Sequence, residues 1–254
     1  MRLVNALCIA LSTYSRIPVP QVEWNEENRR YAMCFFPVIG VVIGTVLAVW
    51  MWCCDCFGLG GLLRGAVSAA IPLLITGGIH MDGFMDTTDA MASWKSPEER
   101  MAILKDSHVG AFAVMACGLY LLSASGVLSE ARSTDTAALA ACFVLSRACS
   151  ALAMAWLKSA RNTGMLADFA QKQQKRIVTI TSVAWVIAAV IVLLACSGWS
   201  GLCAVIGSAV CLLCYRHKAY KYFGGVSGDL AGWFLQVTEL TCLACVVLGR
   251  CVLG

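Results

Sequence analysis

Apolar residues in this chain fall in long unbroken blocks, with polar residues gathered into short stretches between them. Blocks of roughly 17–25 residues are the length that crosses a hydrocarbon core of ~30 Å as a helix. Seven such spans are predicted, at approximately 35–54, 62–80, 109–128, 137–157, 177–196, 199–215 and 233–253. The fifth and sixth read as one helical hairpin turned at Ser197-Gly198. The N-terminal run LVNALCIALSTY is too short to span, and no small-residue cleavage site follows it, which favours an interfacial or re-entrant helix over a signal peptide. The fold class expected is therefore an all-α polytopic membrane protein, with about seven transmembrane helices plus that N-terminal element. With no linker, low-complexity tract or internal repeat, residues 1–254 form a single integral-membrane domain. Gly40-x-x-x-Gly44 suits close approach of two helices.

Composition strengthens this picture. The chain is 59% hydrophobic and 13% charged with a mean hydropathy of +0.76, whereas soluble domains are nearer half apolar and a quarter charged. A net charge of +4 without a dense basic stripe argues against nucleic acid as a partner. Of 19 basic residues, 15 fall on one side of the predicted spans: Arg2, Arg16, Arg29, Arg30, Lys95, Arg100, Lys105, Lys158, Arg161, Lys172, Lys175, Arg176, Arg216, Lys218 and Lys221. The other side has Arg64, Arg132 and Arg250, and Arg147 falls within a span. That asymmetry predicts a cytoplasmic N-terminus and an outer C-terminus. Most of the 15 cysteines sit in apolar runs as small hydrophobes. Cys53-x-x-Cys56 and Cys211-x-x-Cys214 lack a second ligand pair for a metal reading, and a Cys53–Cys56 disulfide stays open.

On this topology the unusual polar stretches, HMDGFMDTTDAM, ILKDSHVGAF, KSARNTGM and FGGVSGD, all face the cytoplasm. Asp82, Asp86 and Asp89 are spaced i, i+4, i+7 and share one helical face. Like charges so arranged repel unless a cation lies between them. An all-oxygen set suits Mg²⁺, which takes one or two carboxylates and completes its shell with water and phosphate. Acids that merely complement a helix dipole need no common face over two turns. Lys105-Asp106-Ser107-His108 precedes a helix start that can offer backbone amides to an anion. Arg161 presents a guanidinium suited to phosphate, or else anchors the chain at the inner surface. The turn carrying Gly225, Ser227 and Asp229 can wrap a phosphate with its amides. Arg147 and Glu239 lie within spans, either paired with each other or lining a polar cavity.

Several strings occur in order along nearly the whole chain: Tyr14-Ser-Arg16-Ile-Pro18, Phe36-Pro37-Val-Ile-Gly40, Gly77-Gly-Ile-His80-Met-Asp82-Gly83-Phe-Met-Asp86-Thr-Thr-Asp89, Lys105-Asp106-Ser107, Ser146-Arg147, Ala160-Arg161 and Phe223-Gly-Gly-Val-Ser-Gly-Asp229. Together they resemble the adenosylcobinamide-GDP ribazoletransferase family, also called cobalamin synthase. The resemblance implies a Mg²⁺-dependent enzyme at the bacterial inner membrane. Such an enzyme joins adenosylcobinamide-GDP to α-ribazole or its 5′-phosphate and releases GMP. Carried onto this chain, Asp82, Asp86 and Asp89 would hold Mg²⁺, and His80 or an aspartate would accept the hydroxyl proton. Lys105 and Asp106 join the catalytic set, while Ser107, His108, Arg147, Arg161, Gly225, Ser227, Asp229 and Glu239 are candidate substrate contacts. The resemblance leaves room for a homo-oligomer and for association with other cobalamin-assembly enzymes. Two positions depart from the family pattern: Ala90 stands where Gly is usual, and His108 where Arg is usual.

The rival class is an ion-coupled transporter using Asp82, Asp86, Asp89, Arg147 and Glu239 as a cation path. It predicts acids spread through the membrane depth, whereas here they concentrate at one face. A non-catalytic membrane anchor leaves the aligned aspartates unexplained.

Overall fold

The computed structural model describes residues 2–106, 108–160 and 174–253. Ser107, Arg161 and the rest of the 161–173 segment lie outside them.

Helix α1, Arg2–Tyr14, is thirteen residues long, or about 20 Å. It buries Ala6, Cys8, Ile9 and Ala10 while leaving Leu3 and Val4 exposed, the two-faced character of an interfacial helix. A single turn, α2 (Glu26–Arg29), and a 3₁₀ turn over Ala32–Phe35 lead into α3, Phe36–Phe57. Pro37 sits in the first turn of α3, where a missing amide costs nothing.

The second expected span is not continuous. Helix α4 covers Gly61–Thr76, about 24 Å, and stops short of a full crossing. Gly77 and Gly78 follow with φ of 65° and 79°, a left-handed pair that residues with a Cβ resist. Helix α5, Ile79–Ala92, then leaves at 97° to α4. The apolar block therefore ends in an elbow, and the elbow sets the acidic helix nearly perpendicular to α4.

Beyond α5 come α6 (Pro97–Ile103), α7 (Ala111–Ser129), α8 (Thr136–Trp156), α9 (Lys175–Phe223) and α10 (Gly228–Leu253). A straight 49-residue helix would be about 74 Å long. Instead α9 breaks at Gly198, with φ 48° and ψ −119°. Thr179 and Tyr220, 41 residues apart in sequence, bond the Trp156 indole N–H and the Lys158 amide, both at 2.9 Å. Both ends of α9 thus return to the foot of α8, as the expected hairpin requires. Among the described residues five helices are long and apolar enough to cross a membrane, and six with the bent α4–α5 pair. The reversal at Gly198 makes α9 two arms rather than one.

The central helix is α8, buried almost throughout and packed against α3, α9 and α10. A Cβ on Gly40 would fall 2.6 Å from the Phe143 carbonyl oxygen, and one on Gly44 2.8 Å from Ala140 Cα. The glycine pair expected to bring helices together does so between α3 and α8. Outward-facing Leu74, Leu119, Leu122, Ile187, Ile191 and Leu213 are exposed, as lipid-facing positions should be. All fifteen cysteines are free, so Cys53 and Cys56 form no disulfide.

The two ends of the bundle differ in charge. At the end reached by the α3–α4 and α7–α8 connections, Arg64 bonds Asp55 at 2.7 Å and Arg250 pairs with Asp135 at 3.3 Å. The described residues of the polar stretches named above lie at the opposite end.

Candidate active site

On an ideal helix, Asp82, Asp86 and Asp89 fall within about 60° of one another, and His80 points about 160° away from Asp82. The structure follows this geometry. Asp82 is exposed, Asp86 and Asp89 are half-buried, and His80 is 5% exposed on the far side. His80 packs between Tyr14 and Phe36, with ring centroids at 6.2 and 5.8 Å, and its Nε2 has no hydrogen-bond partner. It belongs to the packing of α5 on α1 and α3 rather than to the acidic face, which corrects its expected role as proton acceptor.

A fourth carboxylate joins the three. Gly83 lies so close to the start of α10 that a Cβ there would sit 2.7 Å from the Asp229 carbonyl oxygen. Gly232 makes the reciprocal approach, 2.8 Å from the His80 carbonyl oxygen. Two missing side chains thus let α5 and α10 touch backbone to backbone, bringing Asp229 beside the acidic face. Asp86 registers the crowding: burial first, then the charges of Asp82, Asp229 and Asp89, push its carboxyl up to about 6.

Among the described residues no group of three or more His, Cys, Asp or Glu side chains is arranged to hold a metal ion by itself. The arrangement is an open acidic face of hard oxygens, with Asp86 short of compensating positive charge. That fits an ion such as Mg²⁺, whose shell is completed by phosphate and water rather than by protein alone.

Asp89 has a further attachment. Its Oδ2 accepts from the Gly110 amide at 2.6 Å and its Oδ1 from the Ala113 amide at 2.9 Å, both at the start of α7. The loop before α7 thereby lies against α5. In it Lys105 is exposed, and Asp106 Oδ1 takes the His108 amide at 3.0 Å and approaches His108 Nδ1 at 2.6 Å. Those two bonds hold the Asp106 carboxyl below its usual range.

The glycine-rich turn works differently from expectation. The Gly225 amide donates to the Ala219 carbonyl and the Val226 amide to the Lys158 carbonyl, while Val226 accepts from the Ala160 amide. Ser227 is buried, and its Oγ accepts the Leu230 amide at 3.2 Å. Gly225 therefore seats the turn on residues 158–160, and Ser227 caps α10. The Gly225 amide and the Ser227 Oγ thus have partners within the protein. What the turn delivers is Asp229.

Arg147 and Glu239 form an ion pair of 2.6 Å between α8 and α10, each 1% exposed, with Ser146 Oγ donating to Glu239 at 3.2 Å. Arg147 donates further to the Phe143 carbonyl. Sealed in the bundle, they form the mutual ion pair, the first of the two expected alternatives, rather than line a polar cavity. Ser107 and Arg161 lie outside the described residues, although neighbouring Ala160 is fastened to Val226.

Other cations gather near the site, and of these only Arg16 belongs to one of the strings quoted above. Lys218 stands over the Trp233 ring at 4.6 Å, one turn from Asp229, while Arg100 and Lys221 flank Tyr222 at 4.7 and 5.1 Å. Arg16, whose amide bonds the Ile75 carbonyl, lies across Gly77 at the elbow. Their clustering depends on helices distant in sequence.

Fold and site together define a polytopic helical membrane protein with its acidic chemistry collected at one end of the bundle. The chain belongs to the cobalamin-5-phosphate synthase family, which it matches over residues 6–247. It is 43% identical over 253 residues to the adenosylcobinamide-GDP ribazoletransferase of Lachnoclostridium phytofermentans, covering 100% of this chain and 97% of that protein. Proteins of the same name from Ralstonia nicotianae (33% identity, 94% of this chain and 93% of the relative) and Clostridium botulinum strain Alaska E43 (30%, 94% and 95%) are also similar. No solved structure matches. Family membership makes the chain an enzyme of cobalamin assembly.

Proposed function

We propose that this chain joins adenosylcobinamide-GDP to α-ribazole, or to its 5′-phosphate, with release of GMP, in a Mg²⁺-dependent reaction at the cytoplasmic face of a bacterial inner membrane. The observation that carries the reading is the gathering of Asp82, Asp86, Asp89 and Asp229 from two helices onto one open face. The names of the relatives supply the substrates. The charge asymmetry of the loops supports the orientation.

In this reaction a ribazole hydroxyl forms a new oxygen–phosphorus bond at the phosphorus bearing the cobinamide arm. The bond from that phosphorus to the bridging oxygen breaks, and GMP leaves with the electron pair while the hydroxyl gives up its proton. Transfer of this kind needs placement and charge stabilisation more than covalent help from the protein. Asp82, Asp86 and Asp229 would hold Mg²⁺, which when bound supplies neutralising charge at the pyrophosphate. Lys105 and Lys218 are the cations we assign to the phosphate oxygens. The elbow at Gly77-Gly78 sets the helix bearing that face nearly perpendicular to α4, and soluble nucleotides reach the face there.

The test is product formation. Membranes containing the chain, given adenosylcobinamide-GDP, α-ribazole phosphate and Mg²⁺, should yield GMP and the joined corrinoid in equal amounts, and none after chelation. Undiminished yield in excess chelator would overturn the metal dependence, and absence of product under every condition would overturn the activity.

A further inference from the structure

The three aspartates of α5 share a face but not an environment. Helix α7 begins without a cap of its own: its N-cap, Gly110, has no side chain, and no acidic residue occupies its first turn. A helix start leaves several amides unsatisfied and carries partial positive charge. Here two of those amides, at Gly110 and Ala113, are taken by the two carboxylate oxygens of Asp89, from a different helix. Gly110 is also the residue this contact permits, since a Cβ there would collide with the Asp89 carboxylate. Among the described residues Asp82 and Asp86 make no such bond; Asp82 is exposed and Asp86 half-buried.

Resting on the metal-assisted transfer proposed above, we infer that Asp89 is a positioning residue: it caps α7 in trans and so fixes the Lys105–His108 loop beside the site, leaving cation binding to Asp82, Asp86 and Asp229. The loop is restrained at its other end as well. Arg100 of α6 donates to the Ser93 carbonyl at 3.0 Å and stacks on Tyr222 of α9. Lys105, five residues before Gly110, is therefore suspended between two fastened points. A cation drawing on Asp89 would compete with α7 for the same oxygens, whereas one held by the other three would not.

The inference separates two jobs that Asn performs unequally. Asn keeps one acceptor oxygen and so one of the two amide bonds, while its neutral amide is a poor ligand for a hard divalent ion. Wild-type protein, Asp89→Asn, Asp89→Ala and Asp86→Asn, each full-length in detergent, can be compared by Mn²⁺ titration, amide hydrogen exchange and steady-state kinetics. Asp86→Asn should lose at least about tenfold in Mn²⁺ affinity with exchange at residues 110–113 unchanged. Asp89→Asn should bind Mn²⁺ within about threefold of wild type and exchange those amides at a rate between wild type and Asp89→Ala, since its NH2 cannot accept the second amide. Asp89→Ala should also bind Mn²⁺ normally, yet exchange residues 110–113 at least about tenfold faster as the cap is lost. Its KM for adenosylcobinamide-GDP should rise more than its kcat falls, and Asn at the same position, which keeps one of the two bonds, should rescue part of the defect.

Loss of Mn²⁺ affinity in Asp89→Asn equal to that in Asp86→Asn would overturn the inference, since a cap needs no charge. If Asp89→Ala does not fold, the Asn variant alone still decides. Wild-type protein that binds no Mn²⁺ would sink the metal reading of the activity, while accelerated exchange in Asp89→Ala would still uphold the cap.

Discussion

Asp86 is the residue at which environment and chemistry meet most directly. Burial and three neighbouring carboxylates push it up to about 6, above its unfolded value of ~3.9. The folded protein consequently holds this proton more tightly than the unfolded chain. The resulting stability is fully present below the unfolded value, declines as pH rises through about 6, and is flat above that. Without divalent cations, the melting temperature in detergent should fall over that interval, and Asp86→Asn should remove this part of the slope. Mg²⁺ should raise the melting temperature above pH 6 and have little effect near pH 4. A Mg²⁺ effect equal at both pH values would count against a carboxylate site. Ser227 makes a plainer prediction: Ser227→Ala should cost about 1 kcal/mol as a lost cap, with KM unchanged. A tenfold rise in KM would return Ser227 to the substrate.

At the scale of elements, the decisive feature is the crossing of α5 and α10. Gly83→Ala would drive a Cβ into the Asp229 backbone, an overpacking penalty of roughly 1–3 kcal/mol, and would move Asp229 off the acidic face. Turnover should fall further than thermal stability does; activity close to wild type would mean that the crossing does not matter to the site. Which elements could be read beforehand follows from what a hydrophobic block reports. Block length found α3, α7, α8, α10 and both arms of α9, because crossing a bilayer demands continuous apolar residues whatever the packing. It failed at 62–80, where composition stays apolar while two left-handed glycines turn the backbone. The i, i+4, i+7 spacing put three aspartates on one face without any structure. That Asp89 caps α7, that Ser227 caps α10, and that Lys218 comes near Asp229 all depend on contacts between helices, which spacing along one helix does not encode.

For the molecule as a whole, the bundle is held by an apolar core, with the Arg147–Glu239 ion pair sealed inside it. Removing one partner of such a pair leaves an uncompensated buried charge and typically costs ~3–5 kcal/mol, whereas replacing both with apolar residues is often neutral. Arg147→Met should therefore destabilise the detergent-solubilised protein strongly, and adding Glu239→Leu should restore most of the loss. A double variant no better than the single would point to a role beyond packing. The same pair weakens a transporter reading, because the one acid placed midway along α10 is locked to its counter-ion. Chemistry at one end and packing through the rest is the arrangement of an enzyme working at a membrane surface. The most direct test is GMP release by wild-type and Asp86→Asn protein in the same vesicles, with adenosylcobinamide-GDP, α-ribazole phosphate and saturating Mg²⁺. The expected result is a fall of roughly 10²–10³-fold in the variant, the size of losing one preorganised electrostatic contact, at equal membrane content of the two proteins. Equal rates would contradict the assignment of the reaction to the acidic face of α5.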